Sequence, residues 1–148
     1  MPIIVARTVV VTAPVDVVLD YLRDFGNAEQ WDPAARRTTR ADAGPIGVGS
    51  TWCHETRVLG VRTELTYTLA AADADRLFFV GRNESATSTG TVTVRPVDGG
   101  AEVTYHVELE MHGLAKLATP VLRAEAEKLG DATAGRLTEV LNRLASAA

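Results

Sequence analysis

Apolar side chains recur at every second position between about residues 50 and 111, and with helical spacing on either side of that stretch. Ahead of it, residues 3–12 are rich in Val and Ile and predict a first strand with Val5, Val9 and Val11 on one face. Thr12-Ala13-Pro14 predicts a helix start, with Thr12 as N-cap, Pro14 in the first turn and Asp16 at the positive end of the dipole. Val17, Val18, Tyr21 and Leu22 follow helical spacing, and a second short helix over 25–30 stops ahead of Pro33. Gly44, Pro45, Gly47 and Gly49 mark a loop, after which strands are predicted over 50–58, 62–71 and 76–82, followed by a hairpin turning at Asp98-Gly99-Gly100. Helical spacing then returns: Leu114, Leu117, Val121, Leu122, Leu129, Leu137, Val140, Leu141 and Leu144 form one stripe, and Thr119-Pro120 suits a helix start.

This order predicts an α+β helix-grip fold, a curved antiparallel sheet of about seven strands around a long C-terminal helix, with two short helices after the first strand. Ala118, Ala126, Gly130 and Thr133 fall on or beside the helical stripe. Small residues there leave volume between helix and sheet, so an apolar pocket is expected in place of a solid core.

Turn chemistry predicts which side chains face that pocket. A two-residue connection at Gly60-Val61 pairs Thr56 with Leu65, His54 with Tyr67 and Trp52 with Leu69, and sets Arg57 against Glu64 on the opposite face. Either two-residue turn within Asp98-Gly99-Gly100 puts Val92 and Val94 on one face with Val103, Tyr105, Val107 and Leu109. The other face of the last strand then carries Glu102, Thr104, His106, Glu108, Glu110 and His112.

At 148 residues the chain suits a single domain, 1–148, with an ordinary globular composition of 46% hydrophobic and 23% charged residues. A formal net charge of -4 opposes general attraction to phosphate backbones, and Arg36, Arg37 and Arg40 read as a solvated edge strand. The lone Cys53 excludes an internal disulfide, and no stretch approaches the roughly 20 apolar residues that span a bilayer. These features predict a cytoplasmic protein with neither nucleic acid nor membrane as partner, working as a monomer or homodimer. The row His106, Glu108, Glu110 and His112 lies flat along an outer face, so no metal site is expected, and no cofactor motif is present: Gly44 to Gly49 matches no phosphate-binding spacing.

Three segments carry a resemblance: Ala13-Pro14-Val15-Asp16-Val17-Val18, then Tyr21-Leu22-x-Asp24-Phe25-Gly26-Asn27-Ala28-x-x-Trp31-Asp32-Pro33, then Gly47-Val48-Gly49-Ser50-x-Trp52. In this order they resemble the polyketide cyclase/dehydrase branch of the START-like (SRPBCC, birch-pollen-allergen) superfamily. The resemblance implies a deep cavity between sheet and terminal helix that holds a hydrophobic or polycyclic small molecule. Enzymes and non-catalytic carriers share that fold, so it does not settle function.

The candidate chemistry rests on the predicted faces. His54 is the leading catalytic candidate, as general acid or base on an enolisable ketone, with Tyr67 or Tyr105 donating to the developing oxyanion. The alternative is a pocket-wall histidine that orients a ligand, or one satisfied by neighbouring groups. Trp52, Leu65, Val92, Tyr105, Val107, Met111, Leu122, Ala126 and Leu129 are the expected ligand-binding set. Trp31 either borders the entrance or seals the short helices against the sheet. Two functions remain open: a cyclase or dehydrase that folds and closes a poly-ketone, and a carrier or sensor of a lipid or aromatic metabolite.

Overall fold

The computed structural model describes residues 2–147. Seven strands build one antiparallel sheet: β1 (Ile3–Val11), β2 (Ala35–Arg40), β3 (Thr51–Val58), β4 (Val61–Ala72), β5 (Arg76–Arg82), β6 (Ala86–Val97) and β7 (Gly100–Met111), in the order β1-β7-β6-β5-β4-β3-β2. Strands β2 to β7 form a meander, to which β1 adds at the β7 edge. Helix α1 (Val15–Arg23), a 3-10 turn (Phe25–Asn27) and the short α2 (Ala28–Trp31) connect β1 to β2. A second 3-10 stretch (Gly113–Ala118) leads into the long α3 (Thr119–Ala147). The α+β helix-grip arrangement expected from the change of period is the observed one, and no helix among the described residues is long and apolar enough to cross a membrane.

The start of α1 differs from expectation. Pro14, in extended geometry, is the N-cap and offers no side-chain cap. Thr12 is used elsewhere: its backbone N–H and its hydroxyl both donate to Asn142 Oδ1, at 2.9 and 3.2 Å, and so fasten the end of α3 to the end of β1. Two further ties hold the middle of α3. Arg7 on β1 reaches Glu127 and Asp131, each at 3.0 Å, and Tyr105 on β7 donates to the Gly130 carbonyl at 2.6 Å. A Cβ at Gly130 would sit 2.6 Å from Val5 Cγ1, so this glycine is where α3 comes close to β1; it does not widen the gap.

The grip of α3 is uneven along its length. Leu137, Val140 and Leu141 are at most 4% exposed, whereas Leu114, Leu117 and Val121 are 87%, 81% and 60% exposed. The single predicted stripe therefore packs only in its C-terminal half. The 3-10 stretch meets chiefly the end of β7 and the start of α3, so its leucines find no facing apolar surface.

The β3-β4 turn lies one residue earlier than predicted, at Leu59-Gly60, with φ of +52° and +79°. Positive φ at both positions is the pattern of a type I′ turn. The register moves by two residues: Trp52 pairs with Tyr67, His54 with Leu65 and Thr56 with Thr63. A shift of two preserves the facing of every side chain. On the outer face Arg57 meets Arg62 and Glu55 meets Glu64, not Arg57 with Glu64, and the charges are reconciled diagonally by Arg62–Glu55 at 2.7 Å. Leucine is disfavoured in the left-handed region and here buries little, being 55% exposed. Leu59→Asn, which creates the preferred Asn-Gly pair, is expected to stabilise the protein by about 0.5–1 kcal/mol, read as a rise of about 2–4 °C in melting temperature.

Candidate functional site

An apolar cavity of about 220 Å³ lies between α3 and the β1-β7-β6 half of the sheet. Its sheet wall is Ile3 and Val5 from β1, Val92 from β6, and Val103, Tyr105, Val107 and Leu109 from β7. Helix α3 supplies Ala126, Leu129, Thr133 and Leu137, and the short-helix segment closes one side with Leu22, Trp31 and Asp32. A smaller void of about 60 Å³ lies beyond a partition formed by Leu22, Trp31, Val92 and Tyr105, which line both spaces. The larger space exceeds the roughly 150 Å³ apolar hole that admits benzene, so it has room for more than a single ring.

Of the expected ligand-binding set, Val92, Tyr105, Val107, Ala126 and Leu129 line this cavity. Trp52, Leu65, Met111 and Leu122 do not. Trp52 is 1% exposed among Phe25, Phe79 and the Arg40 guanidinium, and Leu65 is buried opposite His54. Met111 borders a separate surface cleft with Lys116 and Arg123 at the far end of β7. Leu122, half-buried near the start of α3 beside the exposed Val121, does not line the cavity. The reason for this division is Phe25. Its ring inserts over β3, β4 and β5, 4.4 Å from Tyr67 and nearly parallel to it, 5.0 Å from His54 and 5.1 Å from Phe79. This plug fills the β3-β4 side of the concave face with protein, leaving the opening against β6, β7 and β1.

His54 points inward, as its alternation requires, but it meets protein and not the cavity. It is 2% exposed; Nδ1 lies 2.8 Å from Thr38 Oγ1 and Nε2 lies 3.0 Å from Asp32 Oδ2. Thr38 is its direct cross-strand partner on β2. The Ala34 N–H donates to the other oxygen of Asp32 at 2.9 Å. His54 itself does not line the cavity, whereas the chain Thr38–His54–Asp32 ends at a residue that does. Trp31 beside it lines the cavity and the smaller void, and its indole Nε1–H is buried with no acceptor among the described residues. Both residues belong to the Trp31-Asp32-Pro33 segment, but no periodic signal marks them as wall residues, because they sit at the end of a four-residue helix.

Tyr67 stacks on Phe25 and lies across Gly81 of β5, where a Cβ would come within 2.6 Å of its ring. It borders the smaller void, not the main cavity. All three tyrosines, Tyr21, Tyr67 and Tyr105, are pushed up from 10.0 to about 12, first by burial; the Asp32 charge adds to the shift at Tyr67 and Tyr105. Their hydroxyls are therefore held protonated, as hydrogen-bond donors and not as bases. A raised folded value means the associated stability is complete below pH 10 and is lost as pH climbs toward about 12. Tyrosinate absorbance is accordingly expected to rise well above the range of free tyrosine and together with loss of near-UV ellipticity.

Among the described residues no three His, Cys, Asp or Glu side chains converge as metal ligands. His112, at the end of the outward row on β7, instead bonds Thr87 Oγ1 at 2.8 Å. Arg82, at the end of β5, is exposed.

Comparison with known proteins agrees with this architecture. The structure is similar to the Zhui aromatase/cyclase from Streptomyces sp. R1128, with a TM-score of 0.80 at 16% identity over 97% of this chain and 95% of that one. It is also similar to TTHA0849 from Thermus thermophilus, with a TM-score of 0.79 at 14% identity over 98% and 99% of the two chains. A START superfamily protein from Mycobacterium smegmatis aligns with a TM-score of 0.66 at 15% identity over 93% and 98%. No curated protein matches the chain by sequence. The model of the family described as polyketide cyclase / dehydrase and lipid transport matches residues 2–148, and with a START-like fold around an apolar cavity, the chain belongs to that family.

Proposed function

We propose that the protein binds a hydrophobic, ring-containing small molecule in the cavity between α3 and strands β1, β7 and β6. The observation that carries this reading is the cavity itself, about 220 Å³ walled by Val, Leu and Ile side chains, in a region where a solid core would have been stabler. Apolar burial supplies the affinity, and the few polar groups at one end fix orientation. Organic extraction of the purified protein followed by mass spectrometry is expected to release a retained apolar compound. An empty extract, together with no thermal shift from libraries of lipids and aromatics, would overturn the proposal.

One observation favours a catalytic reading within this binding function. Asp32 lines the cavity, and its carboxylate is held by His54 Nε2 and the Ala34 N–H. With an enolisable ketone bound, Asp32 takes the proton from the carbon next to the carbonyl. The electron pair moves to the carbonyl oxygen, which leaves an enolate in the cavity and the proton on Asp32. His54 then serves as a positioning residue. This is the first step of aldol closure in a cyclase, and it fits the aromatase/cyclase likeness. The test is deuterium exchange at the α-carbon of 2-tetralone, followed by NMR. Exchange accelerated by the protein and lost in Asp32→Asn, with 2-tetralone affinity kept, supports catalysis. Exchange at the solution rate leaves the carrier or sensor function in its place.

A further inference from the structure

We infer that the second 3-10 stretch and the first turns of α3, residues 113–124, form a surface that docks on one leaflet of a bilayer carrying anionic headgroups. The starting point is apolar exposure that the fold does not use. Leu114, Leu117 and Val121 are all exposed, the two leucines more than any other large apolar residue described. Positions three apart fall in line in a 3-10 turn, so Leu114 and Leu117 share one face, and Val121 follows four residues on in α3. Ala118, Pro120 and Ala124 beside them are exposed as well. Single apolar residues on a surface need no explanation, but a continuous strip of them marks a contact.

Charge identifies what the strip meets. Residues 111–124 hold Lys116 and Arg123 and no Asp or Glu, in a chain whose formal net charge is -4. Both cations are exposed, and neither forms an ion pair among the described residues. They border the cleft at the end of β7, where the one acid is Glu110. Leucines with unpaired cations beside them match the boundary of an anionic leaflet, where apolar side chains enter the acyl region and Lys and Arg reach the headgroup phosphates. A second copy of this chain fits less well, because a twofold contact through the strip would set Lys116 and Arg123 against the same cations. The expectation of no membrane partner rests on the lack of a spanning stretch, and contact with one leaflet requires none. Leu109, two residues before Met111, and Ala126, three after Arg123, line the cavity, so both ends of the segment lead into the cavity wall. Docking needs no ligand, and it therefore stands apart from the proposed function.

The experiment is flotation of the full chain with vesicles of equal parts phosphatidylcholine and phosphatidylglycerol, and with vesicles of phosphatidylcholine alone. Binding to the anionic vesicles is expected to be at least about 10-fold stronger than to the neutral ones, and to fall as salt rises from about 0.1 M to about 1 M. Leu117→Asp should lower it at least about 10-fold, through lost apolar contact and added repulsion. Lys116→Ala combined with Arg123→Ala should lower binding to anionic vesicles by a similar factor. These positions are exposed, so the melting temperature of each variant should stay within about 2 °C of wild type. Val10→Asp is the control: Val10 is an exposed apolar residue of β1 that pairs with Glu102, away from the strip, and this variant should float like wild type. Sedimentation equilibrium without vesicles tests the other occupant. Self-association abolished by Leu117→Asp, with no flotation, would make the strip a contact between copies and overturn docking on lipid. Absence of flotation, equal flotation with both vesicles, or undiminished flotation of Leu117→Asp overturns it too. None of these results touches the cavity, whose own test is the organic extract.

Discussion

Exchanging His54 for alanine is expected to destabilise the fold by about 3–4 kcal/mol and to lower the melting temperature by about 10 °C, although the ring does not touch the cavity. Two losses add. The imidazole is 2% exposed and packs edge-on against Phe25 and Tyr67, with centroids at 5.0 and 5.4 Å, so its removal leaves a hole that neighbouring aromatics cannot collapse into. It also strips a hydrogen bond from Thr38, itself only 9% exposed, and another from Asp32. His54→Gln places an amide near the position of Nε2 and should recover the part of the loss that belongs to Asp32, but not the part that belongs to Thr38. Urea titrations of the three proteins check the order wild type, His54→Gln, His54→Ala. An alanine variant within 1 kcal/mol of wild type would show that the Thr38–His54–Asp32 chain contributes nothing to the fold. The same result bears on function. Because Asp32 and not His54 lines the cavity, binding proposed for that cavity should persist in His54→Ala when it is measured well below the variant's melting temperature.

His54 also illustrates how much of the site could be read from the sequence. Its facing was legible, because strand alternation fixes parity and the actual turn at Leu59-Gly60 shifts the predicted pairing by two residues, which no face can detect. Its partners were not. Thr38 pairs with it across β2 and β3, but the connection between those strands is the long glycine-containing loop 41–50, and only tight turns give register without coordinates. Asp32 comes from a helix terminus 22 residues away in sequence. The second hairpin keeps the facing that turn chemistry predicts, with Val94 opposite Val103 and Val92 opposite Tyr105, so Val92, Tyr105 and Val107 of the cavity's sheet wall were legible in the sequence, and Ile3, Val5 and Val103 were not assigned to it.

The location of the cavity along the sheet was less accessible. Periodicity says which face of a strand is covered but not what covers it, and here the β3-β4 portion is covered by Phe25 from a three-residue 3-10 turn too short to have a period. The glycines show the same limit from the other side. At Gly81 a Cβ would strike the Tyr67 ring at 2.6 Å, while at Gly90, on the wall of the smaller void, nothing lies within 4 Å. Both read in the sequence as a glycine within a strand. One is filled by a neighbour and the other helps make the hollow, and only the packed structure separates them.

Ala126→Phe is expected to reduce affinity for 2-tetralone by at least about 100-fold while leaving the melting temperature unchanged or raising it. Ala126 is half-buried on α3 and lines the cavity, so a larger side chain there grows into space that holds no protein. Small-to-large changes in packed cores typically cost about 1–3 kcal/mol, but here the added ring covers Val, Leu and Ile surface that faces the hollow. A bound ring and the new phenyl ring compete for one volume, so the change removes the binding space itself and not one contact within it. Trp52→Phe is the matched control. Trp52 was expected on the pocket wall, yet it lies in the packed core at 1% exposure, so its substitution should lower stability and leave affinity within about 3-fold. Calorimetric titration and melting of the two variants separate the cases. Ala126→Phe binding as tightly as wild type would place the ligand outside this cavity, and a large affinity loss in Trp52→Phe would return it to the β3-β4 side that Phe25 occupies.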